Sequence, residues 1–281
     1  MKILILGARG MLGHDLMTVF KKYHPIGWDI ADLDITKPKQ VLAKVGRIKP
    51  DVIINAAAYT DVDGAEKNKI LANKINSQAV GRLARTCLKL NTVFVHFSTD
   101  YVFSGHKRGG YQEKDQSAKP INFYGCSKLG GEKEILKLKN RGLRYYLIRT
   151  AWLFGPRAHR HQHKNFVDTI LHLAATKKEI KVVNDQWGSP TYSWDLAQAV
   201  KGIIEKRAPI GIYHITNSGK TNWYKFAKSI ISLSKSKLKV YPCNSGDYPS
   251  VARRPKYSIL LNTKLSHLRS WQSALKNYLK N

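Results

Sequence analysis

Short, continuous apolar runs punctuate the first half of the chain, at residues 2–6, 25–28, 51–56, 92–97 and 145–148. Between them lie longer stretches, 11–23, 66–90 and 122–138, in which apolar positions recur at helical spacing. Uninterrupted apolar strands alternating with amphipathic helices predict a parallel sheet covered on both faces. The expected class is α/β, with a doubly wound sheet occupying residues 1–150. The remainder differs in kind. Helical patterns at 165–176, 194–206 and 222–233 are separated by turn-rich segments carrying Gly188, Pro190, Gly211, Gly219 and Pro242, and a last helix is expected beyond Asn262. Residues 151–281 therefore predict mainly a smaller lobe over the carboxyl ends of the strands, where open parallel sheets bind ligands. Part of 187–215 is expected to return to the first domain.

Length and composition narrow the class. A chain of 281 residues, 43% of them hydrophobic, can bury a sizeable core. The first apolar run is too short for a signal peptide, and nothing approaches the length of a membrane span. Cys87, Cys126 and Cys243 are odd in number and lack zinc spacing, so reduced thiols in the cytoplasm are expected. The charge is the unusual feature: 48 Lys plus Arg against 19 Asp plus Glu give +29. Clusters such as Lys177-Lys178 and Lys235-Ser-Lys237-Leu-Lys239 are spread along the chain. Without a concentrated basic arm, anionic small-molecule ligands are favoured over nucleic acid.

The candidate chemistry starts at Gly7-Ala-Arg9-Gly10-Met11-Leu12-Gly13, directly after the first strand and opening a helix. Glycines allow a tight turn and let backbone N–H groups approach a pyrophosphate, which the helix N-terminus stabilises. In this setting residues 1–150 read as a Rossmann-like dinucleotide-binding domain. Asp29, ending the second strand, is placed to bind the ribose hydroxyl of NADH. Arg9 is placed to meet the extra phosphate of NADPH. Both cofactors stay open.

Tyr124-Gly-Cys-Ser-Lys128 is the sharpest signal. Four residues apart at a helix start, Tyr124 and Lys128 share one face. An ammonium beside a phenol is expected to lower its pKa, which suits a proton donor to an alkoxide formed as a hydride reaches a carbonyl carbon. Ser98-Thr99-Asp100-Tyr101 follows a strand, and a hydroxyl there can polarise the same carbonyl. A glycine turn, a hydroxyl at a strand end and a Tyr/Lys helix occur in the order such a reductase needs.

These residues resemble the extended short-chain dehydrogenase/reductase superfamily and, within it, the chain is similar to the dTDP-4-dehydrorhamnose reductase family. The likeness runs almost end to end. It includes Asn55-Ala-Ala-Ala-Tyr-Thr60 with Val62-Asp63, Ser98 to Phe103, Tyr124 to Lys128 with Gly131-Glu132, and Arg149-Thr-Ala-Trp152. It continues through Asp185-Gln-Trp-Gly-Ser-Pro-Thr191, Trp223-Tyr-Lys-Phe226 and Arg254-Pro-Lys-Tyr-Ser258. The resemblance implies reduction of the 4-keto group of a dTDP-linked 6-deoxy sugar to dTDP-L-rhamnose. It makes Tyr124, Lys128 and Thr99 the catalytic trio and places Asp100 and Trp152 in the sugar pocket. Ala56, Ala57 and Ala58 would run beside the cofactor, and Asp34 and Ile35 near its adenine. Arg254 is a candidate for the substrate diphosphate, a structural ion pair being its equal rival.

There are departures. The family's connection after Trp152 is usually shorter than Pro156-Arg-Ala-His-Arg-His-Gln-His163. Its alternating histidines invite a metal reading, but no carboxylate lies in the run, and no metal is expected. Some family members bridge a dimer through a metal held by acids. Here Asp15 is present, but Trp194 stands where an acid would help, so that bridge is not carried over and a plain homodimer stays open. Cys126 reads as a packing thiol off the catalytic face, and Trp223, Tyr224 and Phe226 as core. The rival enzymatic reading is a UDP-sugar 4-keto-reductase or epimerase. The rival of another class is a regulatory protein that kept the fold and lost the chemistry, a reading that retention of Thr99, Tyr124 and Lys128 opposes.

Overall fold

Alternation within single strands explains the two-sided architecture. In β1 (Ile3–Leu6), Ile3 and Ile5 face one apolar cluster while Leu4 and Leu6 face another, and all four are at most 1% exposed. In the computed structural model, which describes residues 1–116, 119–156, 165–248 and 250–280, this strand is next to the edge strand of a six-stranded parallel sheet. The sheet's other strands in chain order are β2 (Ile26–Trp28), β3 (Val52–Asn55), β4 (Val93–Thr99), β5 (Tyr145–Thr150) and, later, β10 (Gly211–His214). Burying each Ile or Leu contributes about 1.5–3 kcal/mol, so both faces need cover.

The cover comes from helices in the intervening chain. On the Ile3/Ile5 face packs α1 (Met11–Val19), through Leu12, Leu16 and Val19. On the other face pack α2 (Pro38–Ile48), through Val41 and Val45, and then two later helices, Val80–Lys89 and Phe123–Leu136. The apolar run at 66–90 is not one helix. It forms α3 (Val62–Lys67), α4 (Lys69–Asn73), a π-helical stretch Lys74–Ala79 and α5 (Val80–Lys89). Asn68, at φ −114° and ψ 50°, makes the break between the first two. Helix α6 (Phe123–Leu136) is capped by Asn122, whose side chain accepts from the Gly125 N–H.

Beyond β6 (Leu153–Phe154) come α7 (Phe166–Thr176), β7 (Glu179–Val183), β8 (Trp187–Gly188) and β9 (Thr191–Tyr192). Next, α8 (Ser193–Glu205) joins α1 on the Ile3/Ile5 face, and β10 (Gly211–His214) extends the main sheet beside β5. The chain then forms β11 (Thr221–Asn222), α9 (Trp223–Leu233), β12 (Lys239–Cys243) and α10 (Trp271–Tyr278). Parallel β7 and β12 with α7, α9 and α10 enclose a separate aromatic core around Phe154, Phe226 and Trp271.

The sheet order β10-β5-β4-β3-β1-β2 reverses direction of travel at β1, between β2 and β3. Such a point opens a crevice beyond the carboxyl ends of the strands. Gly7, Ala56 and Thr99 all stand on that rim. Among the described residues no helix is long and apolar enough to cross a membrane.

Candidate active site

The glycine turn leaves room that other residues would fill. Gly7 has φ +76°, and a Cβ there would lie 2.7 Å from the Ala57 nitrogen. A Cβ on Gly13 would collide with the Gly7 carbonyl oxygen. Gly10 caps α1 without any side-chain cap bond, so first-turn N–H groups stay open to an anion. Asp29 braces this turn: its Oδ2 accepts from the Arg9 backbone N–H at 3.1 Å and its Oδ1 from Ile30 N–H at 2.8 Å. At the far end Asp34 accepts from the Thr36 N–H and hydroxyl at 2.9 and 2.7 Å.

From this turn a cavity of about 1050 Å³ runs to α6 and Trp152. Its lining includes Gly7, Arg9, Gly10, Met11, Leu12, Gly13, Asp29, Asp34, Ile35 and Ala56 to Ala58. Thr99, Asp100, Tyr124, Lys128 and Trp152 line it too. The cradle thus fits a dinucleotide at one end, with the hydroxyl, phenol and ammonium at the other.

Close packing fixes the helix that carries Tyr124 and Lys128. A Cβ on Gly125 would strike the Tyr101 carbonyl oxygen, so α6 approaches that segment to backbone contact. Tyr124 packs edge-on against Tyr101, with ring centroids 5.9 Å apart. Lys128, only 2% exposed, donates from Nζ to the Phe97 carbonyl at 2.6 Å. Burial pushes its ammonium down to about 8, against the pull of Glu132. The expectation that Lys128 lowers the Tyr124 pKa does not hold in this arrangement. Burial, reinforced by Asp100, pushes the phenol upward, and the Thr99 hydroxyl offsets only part of this. The reason is desolvation: a phenolate set into the cavity wall gives up hydration that the neighbouring cation does not restore. Tyr124 therefore stays protonated, the state a donor requires.

Thr99, at the end of β4, donates from Oγ1 to Asp100 Oδ1 at 2.9 Å and accepts from the Tyr101 N–H at 3.2 Å. Burial pushes the Asp100 carboxyl up to about 7, with the Ser258 and Thr99 hydroxyls pulling the other way. Trp152 adopts φ +46°, a strained left-handed conformation for a bulky residue. Its indole stacks on Trp223 at 3.5 Å and 8°, above Gly188, where any Cβ would meet it. Of the aromatic trio read as core, Phe226 is buried, whereas Trp223 backs this cavity-lining indole.

For Arg254 the structure shows the ion pair. The residue does not line the cavity; its Nη1 and Nη2 grip the two oxygens of Asp63, each at 2.7 Å, and Nη1 also donates to the Ala252 carbonyl. The paired guanidinium holds Asp63 down at about 2. The ion-pair alternative describes this residue, because two fitted N–H···O bonds to a fixed carboxylate outcompete open solvent. Cys126 is exposed and lies off the cavity. Asp15 is buried and accepts from the Ser193 hydroxyl at 2.5 Å. The histidines at 159, 161 and 163 lie outside the described residues.

Residues that the sequence pattern does not single out for the site also meet here. Ser98, Glu132 and Arg149 form a buried cluster beneath Thr99 and Lys128. A signal for it exists in the sequence: Glu132 is one helical turn beyond Lys128, on the face assigned to Tyr124 and Lys128.

Comparison with known proteins gives a consistent set. The family described as RmlD substrate binding domain matches residues 1–281. A dTDP-4-dehydrorhamnose reductase of Burkholderia thailandensis is 38% identical, over 94% of this chain and 92% of that protein. The crystal structure of a dTDP-4-dehydrorhamnose reductase from Clostridium acetobutylicum superposes with a TM-score of 0.93 at 39% identity, covering 100% of this chain and 99% of the other. That of Bacillus anthracis, in complex with NADP, gives 0.93 at 37% identity with the same coverage.

Proposed function

This chain belongs to the family defined by the RmlD substrate binding domain, and we infer from that membership and from its cleft that it reduces dTDP-4-dehydro-L-rhamnose to dTDP-L-rhamnose. The observation that carries the reading is the meeting of Thr99, Tyr124 and Lys128 in one cavity with the glycine turn. The cofactor is NADPH, with NADH as the second candidate, and when bound it supplies the hydride that adds to C4 of the sugar.

The chain's own residues do the rest. Open N–H groups at the start of α1 hold the pyrophosphate. Asp34 and Ile35 border the adenine, and Ala56 to Ala58 form the wall beside the dinucleotide. Lys128, anchored by the Phe97 carbonyl, presents its ammonium to the nicotinamide ribose and stabilises the phenolate left after proton transfer. Thr99 turns its hydroxyl from Asp100 to the C4 oxygen and orients it. Tyr124 gives its phenolic proton to the oxygen as the carbonyl becomes an alcohol, a transfer the high phenol pKa permits because an alkoxide is the stronger base. Asp100 and the Trp152 indole form the walls against the sugar. The cationic residues are spread along the chain without a concentrated basic arm, which favours the doubly anionic diphosphate substrate over nucleic acid, and the separate, unpaired cysteines fit the cytoplasm.

The test is to follow NADPH oxidation with dTDP- and UDP-linked 4-keto-6-deoxy-hexoses. Rapid oxidation with the dTDP sugar and a slower rate with its UDP counterpart is the expected result. Oxidation of neither NADPH nor NADH with either sugar overturns the assignment.

A further inference from the structure

A buried ion pair lies under the catalytic trio and takes no part in the reaction just described. Glu132 is 0% exposed and Arg149 1%. Arg149 donates from Nε to Glu132 Oε1 at 2.9 Å and from Nη2 to Oε2 at 2.7 Å, and Ser98 Oγ donates to the same Oε1 at 2.5 Å. Arg149 stands opposite Ser98 in the β4–β5 register, and its guanidinium lies 5.0 Å from the Phe103 ring centroid. Its Nη1 is 3.4 Å from Nε2 of His214 on β10.

Burying two charges carries a desolvation penalty that their attraction often fails to recover, so such a pair contributes little to stability and is better explained by what it positions. What it positions is evident from the neighbours. Tyr124, Lys128 and Glu132 follow one another at single-turn intervals along α6. Three successive residues of β4 receive them: Phe97 accepts from Lys128, Ser98 donates to Glu132, and Thr99 carries the hydroxyl at the cavity.

We propose that Glu132 is a positioning residue for the reduction, clamping α6 to β4 through Ser98 and Arg149 and keeping Lys128 cationic. The proposal rests on the reductase reading for its kinetic consequence alone. Among the described residues the charged and titratable groups around Lys128 are few, and Arg149 on β5, paired with Glu132, is one of them. Glu132 lies one turn along its own helix, and His96 on β4 is held neutral by burial, its pKa well below the ordinary value. Tyr124 and Asp100 share its cavity. Of these, Glu132 is the one whose anion supports the ammonium against desolvation.

The test uses Glu132→Gln, which keeps the shape and removes the charge, and Ser98→Ala, which keeps the ion pair and removes one tie. Two readouts are taken on each folded protein. The first is the Lys128 pKa from NMR of the side-chain amine, which needs no substrate. The second is the pH profile of kcat with NADPH and the dTDP sugar. In Glu132→Gln the Lys128 pKa falls by about one. The alkaline limb of kcat moves to lower pH with it, and kcat drops about 10- to 100-fold, while KM for NADPH changes less than threefold. In Ser98→Ala kcat falls without movement of the Lys128 pKa. Should Glu132→Gln fail to fold, the double variant Glu132→Gln/Arg149→Met, which leaves no orphaned charge, is read by kcat alone, because loss of the guanidinium offsets the shift at Lys128; an unchanged kcat in it overturns the proposal. An unmoved Lys128 pKa in folded Glu132→Gln overturns it as well. A wild-type protein that turns over no sugar sinks the reductase reading instead, and the NMR result still decides this one.

Discussion

Asp100 is held in a state that the pH dependence of folding will expose. Its carboxyl ordinarily titrates at 3.8, and burial pushes it up to about 7 in the folded protein. A raised folded value means that the native state binds the proton more tightly than the unfolded chain. That contribution to stability is complete below the ordinary value and is lost as pH rises through the folded one. Between pH 5 and pH 8 the loss amounts to about 2–3 kcal/mol, because between the two titration points each step of one in pH removes about 1.4 kcal/mol. Asp100→Asn is nearly the same shape, can still accept from Thr99, and carries no such titration. Urea unfolding of wild type and variant at pH 5, 6.5 and 8 isolates the effect, because every other titrating group is common to both. The variant should gain about 2–3 kcal/mol relative to wild type across that interval. Parallel stability curves would refute the view that Asp100 is buried as a protonated acid.

Two further outcomes bear on the sugar side of the cleft. Gly188→Ala pushes a Cβ into the Trp152 indole, so KM for the sugar should rise at least about tenfold while the dissociation constant for NADPH stays within threefold, as read by steady-state kinetics and fluorescence titration. Arg254→Ala frees Asp63, whose depressed value contributes stability above pH 4 that is lost as pH falls through about 2. With the Asp63 side chain 42% exposed, the loss at pH 7 should be no more than about 1 kcal/mol, and KM for the sugar should change less than threefold; a large KM increase would return Arg254 to the diphosphate.

Much of this is legible in the sequence because period and punctuation agree. The apolar runs locate β1 to β5 within a residue or two, since strands buried on both faces leave no polar alternation to confuse. The glycines at 7, 10 and 13 and the Tyr124/Lys128 pair are readable for the same reason: each residue type is demanded by local geometry. Helix α2 does not stand out, lacking a side-chain cap and carrying mainly basic residues on its outer face. The π-helical stretch after Asn68 packs against α6, where Gly131 meets the Asn76 carbonyl, and no local pattern encodes that contact. The sequence leaves Arg254 open between the diphosphate and an ion pair because its partner Asp63 is far away along the chain. It also misleads on the direction of the Tyr124 pKa, because spacing reveals the nearby cation but not the depth of burial.

The central claim is that Tyr124 supplies the proton. Single-turnover NADPH oxidation by Tyr124→Phe, with enzyme saturated by cofactor and dTDP-4-dehydro sugar, measures it directly. The account expects cofactor affinity within threefold of wild type and oxidation slowed about 10²- to 10⁴-fold. A variant that oxidises NADPH at the wild-type rate contradicts it.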